Sequence, residues 1–126
     1  MKTRTFTLVV AVLALLAVGC DQRIADFTVI STRNVDLSRM GEYKKGAERV
    51  RGKDYIPIIV FIREARDPNL KEAIDDALNE VPGAVALVDG VIYKRYWWFI
   101  FGEDTMIIEG TPLIDTKVVS LPTPPE

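Results

Sequence analysis

The chain has 126 residues, 16 basic and 18 acidic, with a formal charge of -2, one cysteine and no histidine. An acidic balance argues against general nucleic-acid binding, which needs a basic footprint. The missing histidine removes the commonest general base and metal ligand, and with them the histidine-activated serine and cysteine nucleophiles. No P-loop and no GxGxxG run is present, so phosphate-cradling chemistry has no motif to rest on. The sequence therefore leads us to expect no catalytic residues, no metal and no bound cofactor.

The chain opens with two cations, Lys2 and Arg4, and is then apolar from Phe6 to Val18 apart from Thr7. A charged start, a short apolar run and a small residue before the cut form the layout of a secretory signal. Those 13 residues fall short of the about 20 that span a bilayer. Ala17-Val18-Gly19-Cys20 resembles the lipobox of bacterial lipoproteins, in which a small residue precedes the cysteine to be acylated. The resemblance implies cleavage before Cys20, a diacylglyceryl thioether on its sulfur and, in many species, acylation of the new amino group. Two or more acyl chains make a stable anchor where one gives only marginal attachment. Asp21 follows, and in some Gram-negative bacteria an aspartate there retains lipoproteins in the inner membrane. The expected address is the periplasmic side of that membrane, in preference to the outer one.

Removing residues 1–19 takes Lys2 and Arg4 away and leaves 107 residues, with 14 basic against 18 acidic and a formal charge of -4. That length suffices for one domain with its own core, without disulfides or metals. Residues 20–26 are polar and predict a lipidated tether. Residues 27–113 read as a single α+β domain, and residues 114–126 as a proline-rich tail.

Phe27 to Val35 is rich in β-branched residues and predicts a strand. Asp36 to Gly41 has the composition of a turn. Glu42 to Gly52 reads as a strand in preference to a short helix. Ile56 to Ile62 is apolar on both faces, which predicts a central, fully buried strand, with Pro57 tolerated near its start. Arg63 to Pro68 has loop chemistry.

The spacing of Leu70, Ala73, Ile74, Ala77, Leu78 and Val81 forms one stripe of a 3.6-residue helix. Asn69 is placed to cap it, Glu72 three residues on suggests a capping box, and Pro82-Gly83 stops it. Glu72, Asp75, Asp76 and Glu80 lie away from the stripe. Glu72 and Asp76 share a face, as a weak calcium site would require, but a solvated face with a Lys71–Asp75 pair is the expectation. Asp89-Gly90 between apolar runs signals a hairpin, or a bulge in one long strand. Gly102 to Asp104 signals a turn, and Thr105 to Leu113 a last strand. Together these elements predict a mostly antiparallel sheet with one amphipathic helix packed on one face.

Two clusters are candidate surfaces. Tyr93, Tyr96, Trp97, Trp98, Phe99 and Phe101 fall within nine residues. Strand alternation sends Tyr93, Trp97, Phe99 and Phe101 to one face and Tyr96 and Trp98 to the other. Aromatics on both faces exceed what so small a core can bury and suggest an exposed contact patch. Arg39, Lys44, Lys45, Arg49, Arg51 and Lys53 place six cations in fifteen residues. Such a stretch can meet anionic headgroups or simply guard a sheet edge.

Pro68 to Tyr93 (PNLKEAIDDALNEVPGAVALVDGVIY) and Ile107 to Leu113 (IIEGTPL) are similar to small bacterial lipoproteins grouped as TRL-like. That resemblance implies an envelope address and carries no catalytic residues. The resulting expectation is a non-enzymatic, membrane-anchored envelope lipoprotein that contacts a protein partner through its aromatic strand. The alternative is a small-molecule or lipid-binding module using residues 93–101 as a groove.

Overall fold

The computed structural model describes residues 6–12, 20–60, 62–98 and 100–119. Residues 6–12 are helical and exposed. Among the described residues no helix is long and apolar enough to cross a membrane. Phe61, Phe99 and residues 120–126, which include most of the expected tail, lie outside the described residues.

Six strands form one antiparallel sheet: β1 (Cys20–Ile30), β2 (Lys44–Lys45), β3 (Val50–Ile59), β4 (Ile62–Arg63), β5 (Ala84–Trp98) and β6 (Phe101–Ile114). Their order is β1-β5-β6-β3-β4, with β2 also pairing β6. Helix α1 (Leu70–Asn79) packs on one face, as the apolar stripe predicts. Ala73, Ile74, Ala77 and Leu78 meet Val50, Leu87, Ile92 and Ile108 there. Helix and sheet are in close contact at Gly52, where a Cβ would stand 1.9 Å from the Ala73 carbonyl oxygen and 2.4 Å from the Ala77 nitrogen.

The helix cap is half as expected. Asn69 accepts from the Lys71 N–H at 2.9 Å, but the Asn69 N–H donates to Asp54 on β3 at 2.8 Å, not to Glu72. Asp54 also takes Arg66 at 2.8 Å, and this bond holds its carboxyl below the usual carboxylate range. One side chain thus fastens the loop before α1 to the sheet. The Lys71–Asp75 pair forms at 2.7 Å.

Several boundaries differ from expectation. Residues 20–26, read as a tether, are the first part of β1, with Cys20 opposite Tyr96. The backbone edge of β5 needs hydrogen-bond partners, and this segment supplies them. β1 ends at Ile30 because the Ser31 hydroxyl accepts the Arg33 N–H at 2.9 Å, a local turn that closes the strand. The stretch 42–52 is interrupted: a 3-10 turn (Leu37–Glu42) precedes β2, and β3 starts only at Val50.

Asp89-Gly90 is the bulge in one long strand, with register shifting between Val88 and Val91. Asp89 takes the positive φ of 52°. Gly90 is needed for closeness, since a Cβ there would lie 2.1 Å from the Phe27 ring. The turn expected at Gly102 to Asp104 is absent: β6 runs through those residues, and the chain reverses between Trp98 and Phe101. Ile114 is in β6, and Asp115 just beyond it is buried against Arg39, so the domain extends past residue 113.

The run Ile56 to Ile62 is not fully buried. Ile56 and Ile58 face the helix side and are buried, while Ile59, Val60 and Ile62 are exposed. Two-faced apolarity alone does not distinguish a central strand from one that ends in an uncovered apolar turn.

Replacing Gly52 by Ala forces α1 off the sheet. We expect a loss of about 1–3 kcal/mol, typical of overpacking a well-filled core, measured by urea unfolding of the wild-type and variant chains. An unchanged midpoint would show that the helix does not sit on β3 as described.

Candidate functional site

The sheet has two ends of opposite character. At one, β5 ends at Trp98, opposite Gly102 of β6. Beside it, β3 turns into β4, with Ile59 opposite both Phe101 and Ile62. The two hairpin tips are bonded together. The Val60 N–H donates to the Ile100 carbonyl at 2.7 Å, and the Trp98 indole N–H donates to the Val60 carbonyl at 2.6 Å.

The side chains at this joint tip are large and apolar. Ile59, Val60, Ile62, Trp98, Ile100 and Phe101 are all exposed, Ile62 to 78% and Phe101 to 63%. Val60 also holds φ at 58°, a strained conformation for a β-branched residue. An ordinary exposed hairpin turn uses Asn-Gly or Asp-Gly.

Behind the tip lies a belt of ion pairs. Asp104 is only 3% exposed. One of its carboxylate oxygens accepts from Arg63 at 2.9 Å, and the other lies 3.5 Å from the Lys94 ammonium. Arg95 binds Asp21 at 2.5 Å and lies 3.9 Å from Glu103. The Arg95 bond holds the Asp21 carboxyl below the usual carboxylate range, with partial burial opposing it. Ile58, Arg63, Tyr96 and Trp98 line a shallow recess of about 300 Å³ over this belt.

A larger groove of about 490 Å³ is lined by Arg51, Lys53 and Tyr55 of β3, Arg95 of β5, Glu103 and Thr105 of β6, and Asp76 and Glu80 of the helix and its end. Its arginines are already engaged: Arg51 lies 3.3 Å from Glu109 and Arg95 is held by Asp21. Among the described residues no cluster of acidic, histidine or cysteine side chains could hold a metal ion.

The sequence-derived candidates fall into two groups. Cys20 starts β1 opposite Tyr96, beside the apolar tip, and Asp21 pairs with Arg95 next to it. Tyr96, Trp98 and Phe101 are exposed at or near that tip, whereas Tyr93 and Trp97 are half-buried and Phe99 lies outside the described residues. β5 ends at Trp98 and Phe101 belongs to β6, so the aromatics do not share one strand.

The six cations do not gather there. Lys44 and Lys45 pair with Ile114 and Leu113 at the opposite end of β6. Arg39 binds Asp115 and Glu42 in the same region. Lys45 takes Asp89 at 2.6 Å, and Arg49 donates to the Asp89 carbonyl. Arg51 and Lys53 lie on β3, with the Lys53 ammonium 5.8 Å from the centre of the Tyr55 ring.

Sequence reasoning missed Ile59, Val60, Ile62 and Ile100 as surface residues, and Arg63, Lys94 and Asp104 as the belt behind them. The signal was the pairing of two apolar runs, IPIIVFI and YWWFIF, each too apolar for an ordinary exposed turn. No protein-family model, curated protein or solved structure matches this chain.

Replacing Asp104 by Asn leaves the charges of Arg63 and Lys94 facing a neutral amide. Breaking a fully buried ion pair costs about 3–5 kcal/mol. Both cations here reach water, so we expect roughly 2 kcal/mol by urea unfolding. A neutral result would mean that the belt contributes nothing to holding the tip.

Proposed function

We propose that this chain is a bacterial lipoprotein precursor whose mature part is a non-enzymatic domain of the cell envelope. Acylated at Cys20, it would be held at the membrane surface on the periplasmic side, with its aromatic end as the contact surface. The observation that carries the reading is the position of Cys20. It follows an apolar leader and is the first residue of β1, at the same end of the sheet as Tyr96, Trp98 and Phe101. An anchor there leaves no slack between lipid and domain.

The chemistry of the side chains supports a non-enzymatic role. Asp21, Asp54, Asp104 and Asp115 are each bound by an arginine. No histidine exists to act as a base beside a serine. The expected protein-partner contact places its interface at the aromatic end. The small-molecule alternative would rely on the recess at Ile58 and Trp98, which is open and shallow where ligand sites are concave and enclosing.

Expression of the full chain in a Gram-negative host with an alkyne fatty acid tests the anchor. We expect label on the wild type, a mature N-terminus at Cys20 carrying acyl mass, and complete loss of label in Cys20→Ala. Recovery of an unacylated N-terminus at any other residue would refute the lipoprotein reading. Retention through Asp21 predicts co-fractionation with the inner membrane; recovery with the outer membrane would remove that part.

A further inference from the structure

We infer that the joint hairpin tip, Ile59-Val60-Ile62 with Trp98-Ile100-Phe101, inserts into the lipid interface, so that the domain stands end-on in the membrane. The inference rests on the anchor at Cys20 and names the partner of the aromatic end as the lipid surface itself.

Four observations point to lipid. The first is position. Cys20 lies opposite Tyr96, two residues short of Trp98, so the anchor leaves the sheet roughly 7 Å behind the tip at the usual rise per strand residue. The tip cannot avoid the surface to which the chain is tied, whether the tie is acyl chains or the leader itself.

The second is composition. Six exposed apolar side chains come together, and the described tip residues 59, 60, 62, 98, 100 and 101 include no charged residue and no proline of the kind that normally blunts exposed hairpin ends. The third is the state of the polar groups. Backbone groups entering a bilayer must be satisfied internally, and here Val60 N–H, Ile100 carbonyl, Val60 carbonyl and Trp98 indole N–H bond to one another. The strained φ of Val60 is part of that arrangement.

The fourth is the charged belt. Arg63, Lys94, Asp104, Arg95 and Asp21 lie just behind the tip, where headgroups would be, and they are paired with one another. Cations already matched by carboxylates do not require anionic lipid. Insertion therefore proceeds on zwitterionic surfaces, with Trp98 at the polar–apolar boundary where tryptophan is favoured.

The chain's two tryptophans, Trp97 and Trp98, are both at this end, so its tryptophan emission reports on the tip alone. The test reconstitutes the full-length lipidated protein into phosphatidylcholine vesicles, with or without bromine on the acyl chains. Co-flotation and emission are read on each sample. Wild type should float, and with side chains about 5–10 Å deep, shallow bromines should quench its emission by roughly half. Ile62→Glu/Ile100→Glu changes only exposed positions, so it should fold and float, yet lose most of that quenching.

Wild type that floats without quenching overturns the tip contact alone and leaves the anchor standing. Wild type that fails to float overturns both. Quenching undiminished in the double variant would overturn the assignment to these side chains.

Discussion

A mismatch of lengths governs this molecule. β5 and β6 run for 15 and 14 residues, roughly 45–50 Å of hairpin, while α1 has ten residues, about 15 Å of helix. One short helix cannot cover one face of so long a ribbon. It is fixed over the middle by its contact with Gly52 and by Asp54 at its entry. The sheet beyond Ile58 is left without a covering layer, and the residues placed there are nonetheless isoleucine, valine, tryptophan and phenylalanine. In water this would be an aggregation liability. At the surface of a bilayer, as proposed, it would be an anchor.

The distribution of charge follows the same axis. Arg39, Lys44, Lys45 and Arg49 sit towards the end of the sheet that holds Leu113 and Ile114. That end is about 40 Å from Phe101 by the rise of β6. In the proposed arrangement, with the chain tied at Cys20, those cations would stand well beyond the Debye length of about 8 Å at which a charged headgroup layer acts. These four residues form a solvated surface at the far end of the sheet, whereas Arg51 of the same stretch reaches to 4.0 Å from Asp21. Carboxylate partners at Asp89, Asp115 and Glu42 already neutralise much of that surface. The sheet thus has an apolar end and a charged end.

The amphipathic helix and the antiparallel sheet were legible in the sequence because their periodicities, 3.6 and 2, are local. Asn69 as a cap was legible for the same reason. The positions of the turns were not. Gly102 looks like turn chemistry, yet it lies inside β6, at a position where a Cβ would stand 2.3 Å from the Trp97 carbonyl oxygen. The reversal instead falls between Trp98 and Phe101, inside the aromatic run. Residues 20–26 read as a tether because they are polar, but pairing to the edge of β5 is set by backbone groups that composition does not reveal. The run at 56–62 failed for a different reason. Apolarity on both faces says that a segment avoids water, and says nothing about whether protein or lipid replaces it.

The most direct test of the end-on arrangement is to compare the two ends of β3 and β6 in one membrane. With Cys20 acylated, a cysteine introduced at Ile100→Cys or at Glu48→Cys is the sole thiol of the mature chain. Each full-length variant is reconstituted in vesicles and treated with a maleimide that cannot enter lipid. The account predicts that Glu48→Cys reacts as fast as in detergent, whereas Ile100→Cys is protected until detergent is added. Equal reactivity at both positions in intact vesicles would contradict it, and would mean that the domain lies along the surface or stands clear of it.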